Sequence, residues 1–198
     1  LRYLLGLRES APVELAALIA DPDAAARLIR VLGASSGLGD FLARHPRELQ
    51  ALATPIAAPP TEYGADLLAA VDGLKGDAAW VALRVRYRRH LLQLAAWDLE
   101  HADPIAAVSI VAAALADLSG AALDASLAVA RRDVKFPAEE VAATRLAIIG
   151  MGKAGARELN YVSDVDVIFV GEVERCTMRA DASPLLFHGG RYYTEHPL

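Results

Sequence analysis

Cysteine is almost absent from the sequence, since Cys176 is the single one among 198 residues. A lone cysteine excludes an internal disulfide, and such scarcity is typical of proteins kept in a reducing compartment. We therefore expect the chain to be cytoplasmic. Excess positive charge is also absent, because 20 lysines and arginines face 25 acidic residues and the net charge is -5. This balance provides no overall basic surface for nucleic acid, so we expect no nucleic-acid partner.

Long hydrophobic runs are missing as well. The most apolar stretch, 105–116, is about twelve residues long, whereas a membrane-spanning helix needs roughly 20. We expect a buried helix there and no membrane partner. The start has no signal-peptide pattern, and Leu1 in first place predicts that the sequence begins inside a longer reading frame. Apolar residues make up 55% of the sequence, which predicts a sizeable core.

Residues 1–132 have the pattern of amphipathic helices joined by short connections, which indicates a helical bundle. Residues that commonly cap helices mark several of the expected starts. The predicted helices begin at Ser10, Asp21, about Leu38, Tyr63, Asp77 and Asp103, with a proline-bearing loop at 54–60. The predicted buried stripe of helix 77–100 is Trp80, Leu83, Tyr87, Leu91 and Leu94. That of the following helix is Ile105, Val108, Val111, Leu115, Leu118, Leu123, Leu127 and Val129.

The pattern changes after residue 132. A short apolar run with β-branched residues, 145–150, predicts a buried strand that ends at a glycine. A tight loop at 152–155, about one helical turn at 156–160 and a second strand at 162–170 are expected to follow. The predicted fold class is therefore α+β. Its expected parts are a helical bundle at 1–138, the start of a second domain at 139–172 and a divergent tail at 173–198.

A glycine-rich loop is predicted between the first strand and the short helix, with glycines at Gly150, Gly152 and Gly155. Glycines let backbone N–H groups approach a phosphate closely, and a following helical turn adds a favourable field. Lys153 adds a positive charge to the same loop. We therefore predict a nucleotide phosphate site at these four residues.

Two aspartates follow the loop in the predicted second strand. Residues two apart in a strand point to the same face, so Asp164 and Asp166 are expected to project together. Two carboxylates among Val165, Val167 and Ile168 would repel each other and be costly to bury, and a divalent cation resolves both problems. Carboxylate oxygens suit Mg²⁺ or Mn²⁺. A phosphate loop beside metal-binding carboxylates is the arrangement that nucleotidyl transfer requires.

Three other interpretations compete with this one. The spacing of the three glycines matches the dinucleotide-binding fingerprint, but only six residues separate Gly155 from Val162, too few for the crossover helix that this fold needs. A P-loop is excluded because Lys153 lacks the required spacing and the following Ser or Thr. A plain glycine turn next to two solvated aspartates remains open.

The segment from Gly150 to Phe169, GMGKAGARELNYVSDVDVIF, resembles the nucleotidyltransferase signature of the glutamine synthetase adenylyltransferase/adenylyl-removing enzymes. That family belongs to the polymerase β-like nucleotidyltransferase superfamily, and each chain carries two such domains. The glycine loop followed by Glu-Leu-Asn resembles the N-terminal, adenylyl-removing copy. Upstream, the residues LGDFL and RHP at 38–46 and those at 83–89 also resemble the family's helical region. The resemblance covers about residues 1–172.

The resemblance implies an enzyme that removes AMP from a tyrosine of glutamine synthetase by phosphorolysis, giving ADP, within a protein that also adenylylates it from ATP. It implies Mg²⁺ or Mn²⁺ at Asp164 and Asp166, ATP or ADP at the loop and at Ser163, and PII-type signalling proteins as possible regulators. The role of Glu158 stays open, with a structural pairing to Arg157 or Lys153 as one choice. Another acceptor, or a non-catalytic chain that only binds a protein partner, remains the alternative.

The end of the sequence departs from the family pattern. The superfamily takes a third carboxylate from a later strand, and residues 173–198 do not resemble that continuation. We therefore expect this chain alone to be catalytically incomplete. The spacing of His188 and His196 matches no metal motif. The basic cluster Arg84, Arg86, Arg88 and Arg89 has two interpretations, a solvated helix face or a contact surface for a partner or phosphate. We expect Tyr87 and Trp97 in the core.

Overall fold

The computed structural model of the chain describes residues 1–60, 62–173, 185–188 and 191–194. The chain divides into two compact units, one of Leu1–Lys135 with Ile148–Val170 and the other of Phe136–Ala147 with Gly171–Leu198. The described residues are mostly helical with two small sheets, which confirms the predicted α+β class. Cys176, Gly189–Gly190 and His196, which the sequence analysis considered, lie outside the described residues.

The first unit is built from helices that follow one another with short connections. Four short helices and a 3₁₀ helix come first, followed by α5 and the two long helices α6 and α7. Their bounds are α1 Arg2–Ser10, α2 Pro12–Ile19, α3 Pro22–Ala34, α4 Ser36–Arg44, the 3₁₀ helix Pro46–Leu52, α5 Gly64–Val71, α6 Gly76–Glu100 and α7 Pro104–Asp133. The predicted loop at 54–60 contains no helix or strand. This succession confirms the predicted helical bundle.

Helix α6 packs in three separate hydrophobic clusters, which explains why both Leu92 and Leu94 are buried although they lie on opposite sides of the helix. Leu92 packs with α1–α4 and the 3₁₀ helix. Leu83 packs with α5 and the C-terminal half of α7. Leu94 packs with the N-terminal half of α7. The bundle is therefore organised around this helix.

Two of the predicted helix starts are confirmed with their caps. The carboxylate of Asp21 accepts hydrogen bonds from the N–H groups of Asp23 and Ala24 at the start of α3. The carboxylate of Asp103 does the same for Ile105 and Ala106 at the start of α7. In both cases a proline follows the aspartate in the first helical position, where its missing N–H costs nothing.

Two other predicted starts are wrong. Ser10 is the last residue of α1, which the sequence analysis did not separate, and α2 begins at Pro12 without a side-chain cap. Asp77 lies in the first turn of α6 but does not cap it. The N–H of Gly76 donates instead to both carboxylate oxygens of Asp133, at 3.0 and 3.2 Å. The cap thus comes from the far end of α7, 57 residues along the chain.

The predicted buried face of α7 is only partly correct. Val111, Leu115 and Leu118 are buried, but Ile105 is 84% exposed and Val108 is 64% exposed. The buried residues in the first two turns of α7 are Ala107 and Val111, whereas Ile105 and Val108 are turned to solvent, so apolar periodicity there is not matched by burial. In the described part of the chain, α7 is the one helix long and apolar enough to span a bilayer, and 44% of its most apolar stretch of 18 residues is buried. This is weak evidence for a membrane helix, since core helices meet the same criterion.

Four strands are described. Strand β1 is Thr144–Gly150 and pairs with β2, Val167–Val173, while β3, Leu185–His188, pairs antiparallel with β4, Arg191–Thr194. The short helix α8, Ala138–Ala143, leads directly into β1. The predicted strand at 145–150 is confirmed, but the prediction that it is buried is wrong. Its residues alternate between half-buried and exposed along most of its length, so one face of the strand is partly covered and the other is open to solvent.

Candidate functional site

The segment that carries the predicted site begins where β1 ends at Gly150. The next residue, Met151, donates its N–H to the carbonyl oxygen of Asp166 at 2.8 Å, which brings the start of the glycine segment beside the start of β2. Arg145 and Glu172 approach each other at the other end of the two strands, so the strands run antiparallel. The glycine segment and the two predicted metal ligands therefore meet at one end of this sheet.

The glycine segment is helical, and the predicted loop at 152–155 is wrong. Gly152–Gly155 forms the single turn α9, in which the N–H of Gly155 donates to the carbonyl of Met151 at 3.0 Å. The predicted helical turn at 156–160 is also wrong, because the chain leaves the helix at Arg157, where φ is +57°. The turn thus lies about four residues earlier than expected.

Two of the glycines are required by geometry. A Cβ on Gly155 would lie 2.4 Å from the carbonyl oxygen of Gly150, closer than any side chain tolerates. Gly152 has φ of +52°, and a Cβ there would lie 3.3 Å from Oδ2 of Asp166. The small residues therefore let the turn fold back against the end of β1 and let one aspartate approach the backbone of the turn.

The prediction that Asp164 and Asp166 lie in a strand is wrong. Strand β2 begins at Val167, five residues later than predicted, and both aspartates precede it. Both are exposed, as are Val165 and Ile168 beside them, so the carboxylates are not buried among apolar side chains as expected. Among the described residues there is no group of three or more His, Cys, Asp or Glu side chains that could hold a metal ion. The metal assignment stays a prediction.

The predicted phosphate contacts lie close to the two aspartates in the chain. Lys153 is exposed, and its Nζ is 3.5 Å from Oδ1 of Asn160, at the long limit of a hydrogen bond. The hydroxyl of Ser163 donates to the carbonyl of Asp164 at 3.3 Å. No side chain caps the N-terminal N–H groups of the α9 turn. A lysine and a backbone turn are thus available to an anion.

The segment after the turn is held on the helical bundle by polar contacts at its two ends. Arg157 Nη2 lies 2.5 Å from Oδ2 of Asp117 on α7, and the hydroxyl of Tyr161 donates to Asp98 of α6 at 3.0 Å. Between them Leu159, 5% exposed, packs in the cluster formed by α6 and α7. Arg157 pairs with Asp117 rather than with Glu158. The bundle is therefore the support on which the glycine segment rests.

Two tyrosines near this support have altered acidity. Burial, together with the nearby carboxylate of Asp117, raises the pKa of Tyr63 to about 12. Burial is also the largest cause of a raised pKa at Tyr161, followed by the charge and the hydrogen bond of Asp98. Both phenols therefore stay neutral at physiological pH, and the hydroxyl of Tyr161 donates its hydrogen bond to Asp98.

Sequence comparison identifies the family to which the chain belongs. A sequence model of the glutamate-ammonia ligase adenylyltransferase family matches residues 25–187, which include the whole glycine segment. The chain belongs to this family. The proposed resemblance to the glutamine synthetase adenylyltransferases is thereby confirmed. No solved structure was found to match the chain.

Curated members of the glutamate-ammonia ligase adenylyltransferase family are similar over most of the chain. A bifunctional glutamine synthetase adenylyltransferase/adenylyl-removing enzyme of Leifsonia xyli is 56% identical over 184 residues, which cover 86% of this chain and 18% of the relative. The Streptomyces avermitilis enzyme of the same name is 49% identical over 146 residues, covering 74% of this chain and 14% of the relative. The chain thus spans less than a fifth of the length of these relatives.

The basic cluster on α6 of this family member divides into two pairs. Arg86 forms an ion pair with Asp66 and Arg89 forms one with Glu48, both at 3.1 Å. Arg84 and Arg88, one turn apart, are exposed. Half of the cluster therefore holds α6 to its neighbours, and the other half is a solvent-facing pair. Tyr87 and Trp97 pack against the hydrophobic clusters, as predicted.

Sequence reasoning missed the residues that support the glycine segment. Asp98 and Asp117 lie on helices far away in sequence, and no local pattern links them to Tyr161 and Arg157. The signal for Leu159 was present, because it is an isolated large apolar residue in a polar stretch after a glycine turn. Such a residue indicates a docking point on another element.

Proposed function

We propose that this chain supplies the phosphate turn and two carboxylates of a nucleotidyl-transfer site that acts on glutamine synthetase. The observation that carries the proposal is the single hydrogen bond from Met151 to Asp166. This bond joins the glycine turn to the segment with the aspartates, and it brings the carboxylate of Asp166 against Gly152. The names of the curated relatives support glutamine synthetase as the partner.

The two aspartates suit a hard divalent cation. Mg²⁺ is commonly bound by one or two carboxylates, with waters and substrate phosphates completing its coordination, and an exposed pair of carboxylates meets this requirement. Asp164 and Asp166 would hold Mg²⁺ or Mn²⁺. When bound, the ion would neutralise the charge that develops on the phosphate oxygens.

The chain's own groups would bind and orient the nucleotide. The weak contact to Asn160 leaves the ammonium group of Lys153 able to turn to a phosphate oxygen. The backbone N–H groups at the start of the α9 turn and the hydroxyl of Ser163 would donate to further phosphate oxygens. ATP and ADP are therefore the nucleotides that we expect here.

The direction that we propose is adenylyl removal. An oxygen of inorganic phosphate attacks the phosphorus of the AMP–tyrosine linkage, the bond to the tyrosine oxygen breaks, and that oxygen takes up a proton as ADP leaves. This direction is supported by the Glu-Leu-Asn sequence at 158–160, which resembles the adenylyl-removing copy, and by the double name of the relatives. We further propose a cytoplasmic location and PII-type proteins as regulators.

Nucleotide binding by the 198-residue chain tests this proposal. Calorimetric titration with ADP should give saturable binding with Mg²⁺ that falls at least tenfold without it. The double variant Asp164→Asn/Asp166→Asn should lose the Mg²⁺ dependence, and Lys153→Ala should bind at least about tenfold more weakly, since one charge-assisted hydrogen bond contributes about 1.5–3 kcal/mol. Asp77→Asn, an exposed acid on α6, is the matched control. Binding that ignores both Mg²⁺ and the aspartates would contradict the proposal, and no binding at all would favour a chain that only contacts a protein partner.

A further inference from the structure

Residues 157–161, the anchoring segment, leave the α9 turn through an unfavourable backbone conformation. Arg157 has φ of +57° and is the one non-glycine residue with a positive φ in the described part of the chain. A positive φ is costly for a residue with a Cβ, because the Cβ crowds the following carbonyl oxygen. The guanidinium group of the same residue pairs with the carboxylate of Asp117 on α7 at 2.5 Å. A strained backbone is therefore combined with a side-chain contact to a helix far away in sequence.

Three side chains of the anchoring segment, at alternate positions, contact the bundle. The first, Arg157, pairs with Asp117 of α7. The second, Leu159, is buried in the hydrophobic cluster formed by α6 and α7. The third, Tyr161, donates its hydroxyl hydrogen bond to Asp98 of α6 at 3.0 Å. The segment therefore lies along both long helices and is held at its two ends by aspartates.

The anchoring segment is also bonded to the α9 turn. The N–H of Glu158 donates to the carbonyl of Lys153 at 2.8 Å, and the N–H of Arg157 donates to the carbonyl of Ala154 at 3.2 Å. Asn160 is exposed, and its Oδ1 lies 3.5 Å from Nζ of Lys153. The position of the segment on the bundle therefore determines where the backbone of Lys153 lies.

The two polar anchors are too exposed to contribute much to global stability. The side chains of Arg157 and Asp117 are 60% and 30% exposed, and Tyr161 is 41% exposed. Exposed ion pairs stabilise a protein little, and a hydrogen bond within the protein replaces one with water. Such contacts still fix the position of the groups they hold, and a small displacement of a binding group has a large effect on a reaction. The effect of these anchors is thus expected on position rather than on stability.

We propose that Asp98 and Asp117 are positioning residues of the nucleotide site. Through Tyr161 and Arg157 they hold the anchoring segment on the bundle, and the segment in turn fixes Lys153 and the α9 turn. Neither aspartate touches the nucleotide, since each acts through a side chain of the segment. Because the two aspartates lie on different long helices, a change in the packing of α6 against α7 would move the site. This inference rests on the proposed function, because it assigns a role at the same site.

The test is a calorimetric titration of the 198-residue chain with ADP and Mg²⁺, together with urea denaturation of each variant. Tyr161→Phe removes one hydroxyl group, and Asp117→Ala removes one carboxylate. We expect each variant to bind ADP at least about fivefold more weakly, with an unchanged midpoint of unfolding. The dependence of binding on Mg²⁺ should persist, because Asp164 and Asp166 are intact. Loss of a carboxylate makes the chain less negative and by itself favours an anionic nucleotide, so weaker binding by Asp117→Ala would not come from overall charge.

Two matched controls and one conservative variant complete the set. The hydroxyl of Tyr3 in α1 donates to the carbonyl of Ser36 at 3.0 Å, and Asp40 is an exposed acid of α4. Tyr3→Phe and Asp40→Ala should therefore leave ADP binding unchanged. Asp117→Glu keeps the carboxylate and should restore most of the affinity that Asp117→Ala loses.

The outcomes separate the positioning role from the proposed function. If the unmodified chain binds ADP and both Tyr161→Phe and Asp117→Ala bind it equally well, the positioning role is overturned while the nucleotide site stands. Weaker binding that accompanies a lower midpoint of unfolding, or that also occurs in the two controls, would overturn the positioning role as well. If the unmodified chain binds no ADP, the proposed function fails and the positioning role fails with it.

Discussion

Replacing Gly155 by alanine should open the glycine turn. The added Cβ would lie 2.4 Å from the oxygen and 3.0 Å from the carbon of the Gly150 carbonyl. Because both contacts are with backbone, no side-chain rotation can relieve them, and the turn must move away from the end of β1. Overpacking of this kind costs about 1–3 kcal/mol, while the gain in helix propensity from alanine offsets at most about 1 kcal/mol. We therefore expect a net loss of about 1–2 kcal/mol.

The loss should be local, so native-state hydrogen exchange is the assay. The N–H of Met151, bonded to Asp166, and the N–H of Gly155, bonded to Met151, report the closed turn. Their exchange should become roughly 5- to 30-fold faster in Gly155→Ala, which corresponds to about 1–2 kcal/mol of opening free energy. Gly33→Ala in α3, where a Cβ meets nothing within 4 Å, is the control and should leave both amides unchanged. Unchanged exchange in Gly155→Ala would refute this account of the turn.

Three further predictions concern the support of the site and can be checked by urea denaturation. Asp103→Ala should lower the free energy of unfolding by about 1 kcal/mol, because it removes the cap of α7. Asp77→Ala should change it by no more than about 0.5 kcal/mol, because Asp77 does not cap α6. Equal losses in the two variants would show that the cap assignment is mistaken. The Arg157→Gly variant should be more stable than the Arg157→Ala variant by about 1 kcal/mol. Both variants lose the ion pair with Asp117, but only glycine adopts the positive φ of this position without strain. The reverse order of stability would contradict the prediction. The pKa of Tyr63 is raised to about 12 in the folded protein, from 10 in the unfolded chain. The stability that its neutral form contributes is therefore complete below pH 10 and is lost as pH rises from 10 through 12. Tyr63→Phe should flatten this part of the profile of stability against pH, and an identical profile in the variant would exclude the assignment.

Local sequence patterns predicted those helix starts that depend only on contacts between neighbouring residues. Asp21 and Asp103 each cap a helix with a proline next in sequence, and both starts were correct. The cap of α6 could not be predicted in this way, because Asp133 reaches Gly76 only after α6 and α7 have packed together. For the same reason, apolar periodicity at Ile105 predicted burial that no neighbouring element provides.

The local structure of the candidate segment was predicted only in part. The spacing of the glycines indicated a turn at Gly152–Gly155 but did not show that the turn is helical. Glycines by themselves favour loops, and here Gly155 is needed because the turn packs directly against the carbonyl of Gly150. Alternation of valine and aspartate suggested a strand from Val162, yet β2 begins only at Val167, next to the bond from Met151 to the carbonyl of Asp166 that joins the ends of the two strands. The docking carboxylates Asp98 and Asp117 could not be predicted, because only tertiary packing brings them to the segment.

Release of ADP from adenylylated glutamine synthetase tests the central proposal most directly. The assay uses a family member of full length that contains this segment, with inorganic phosphate as the second substrate, and compares it with the same protein carrying Asp164→Asn and Asp166→Asn. We predict that the double variant loses at least 100-fold of the ADP-forming rate, as is common when charge stabilisation of a transition state is removed, while its AMP-attaching activity from ATP persists. Undiminished ADP release in the double variant would contradict the assignment of Gly150–Phe169 as the adenylyl-removing site.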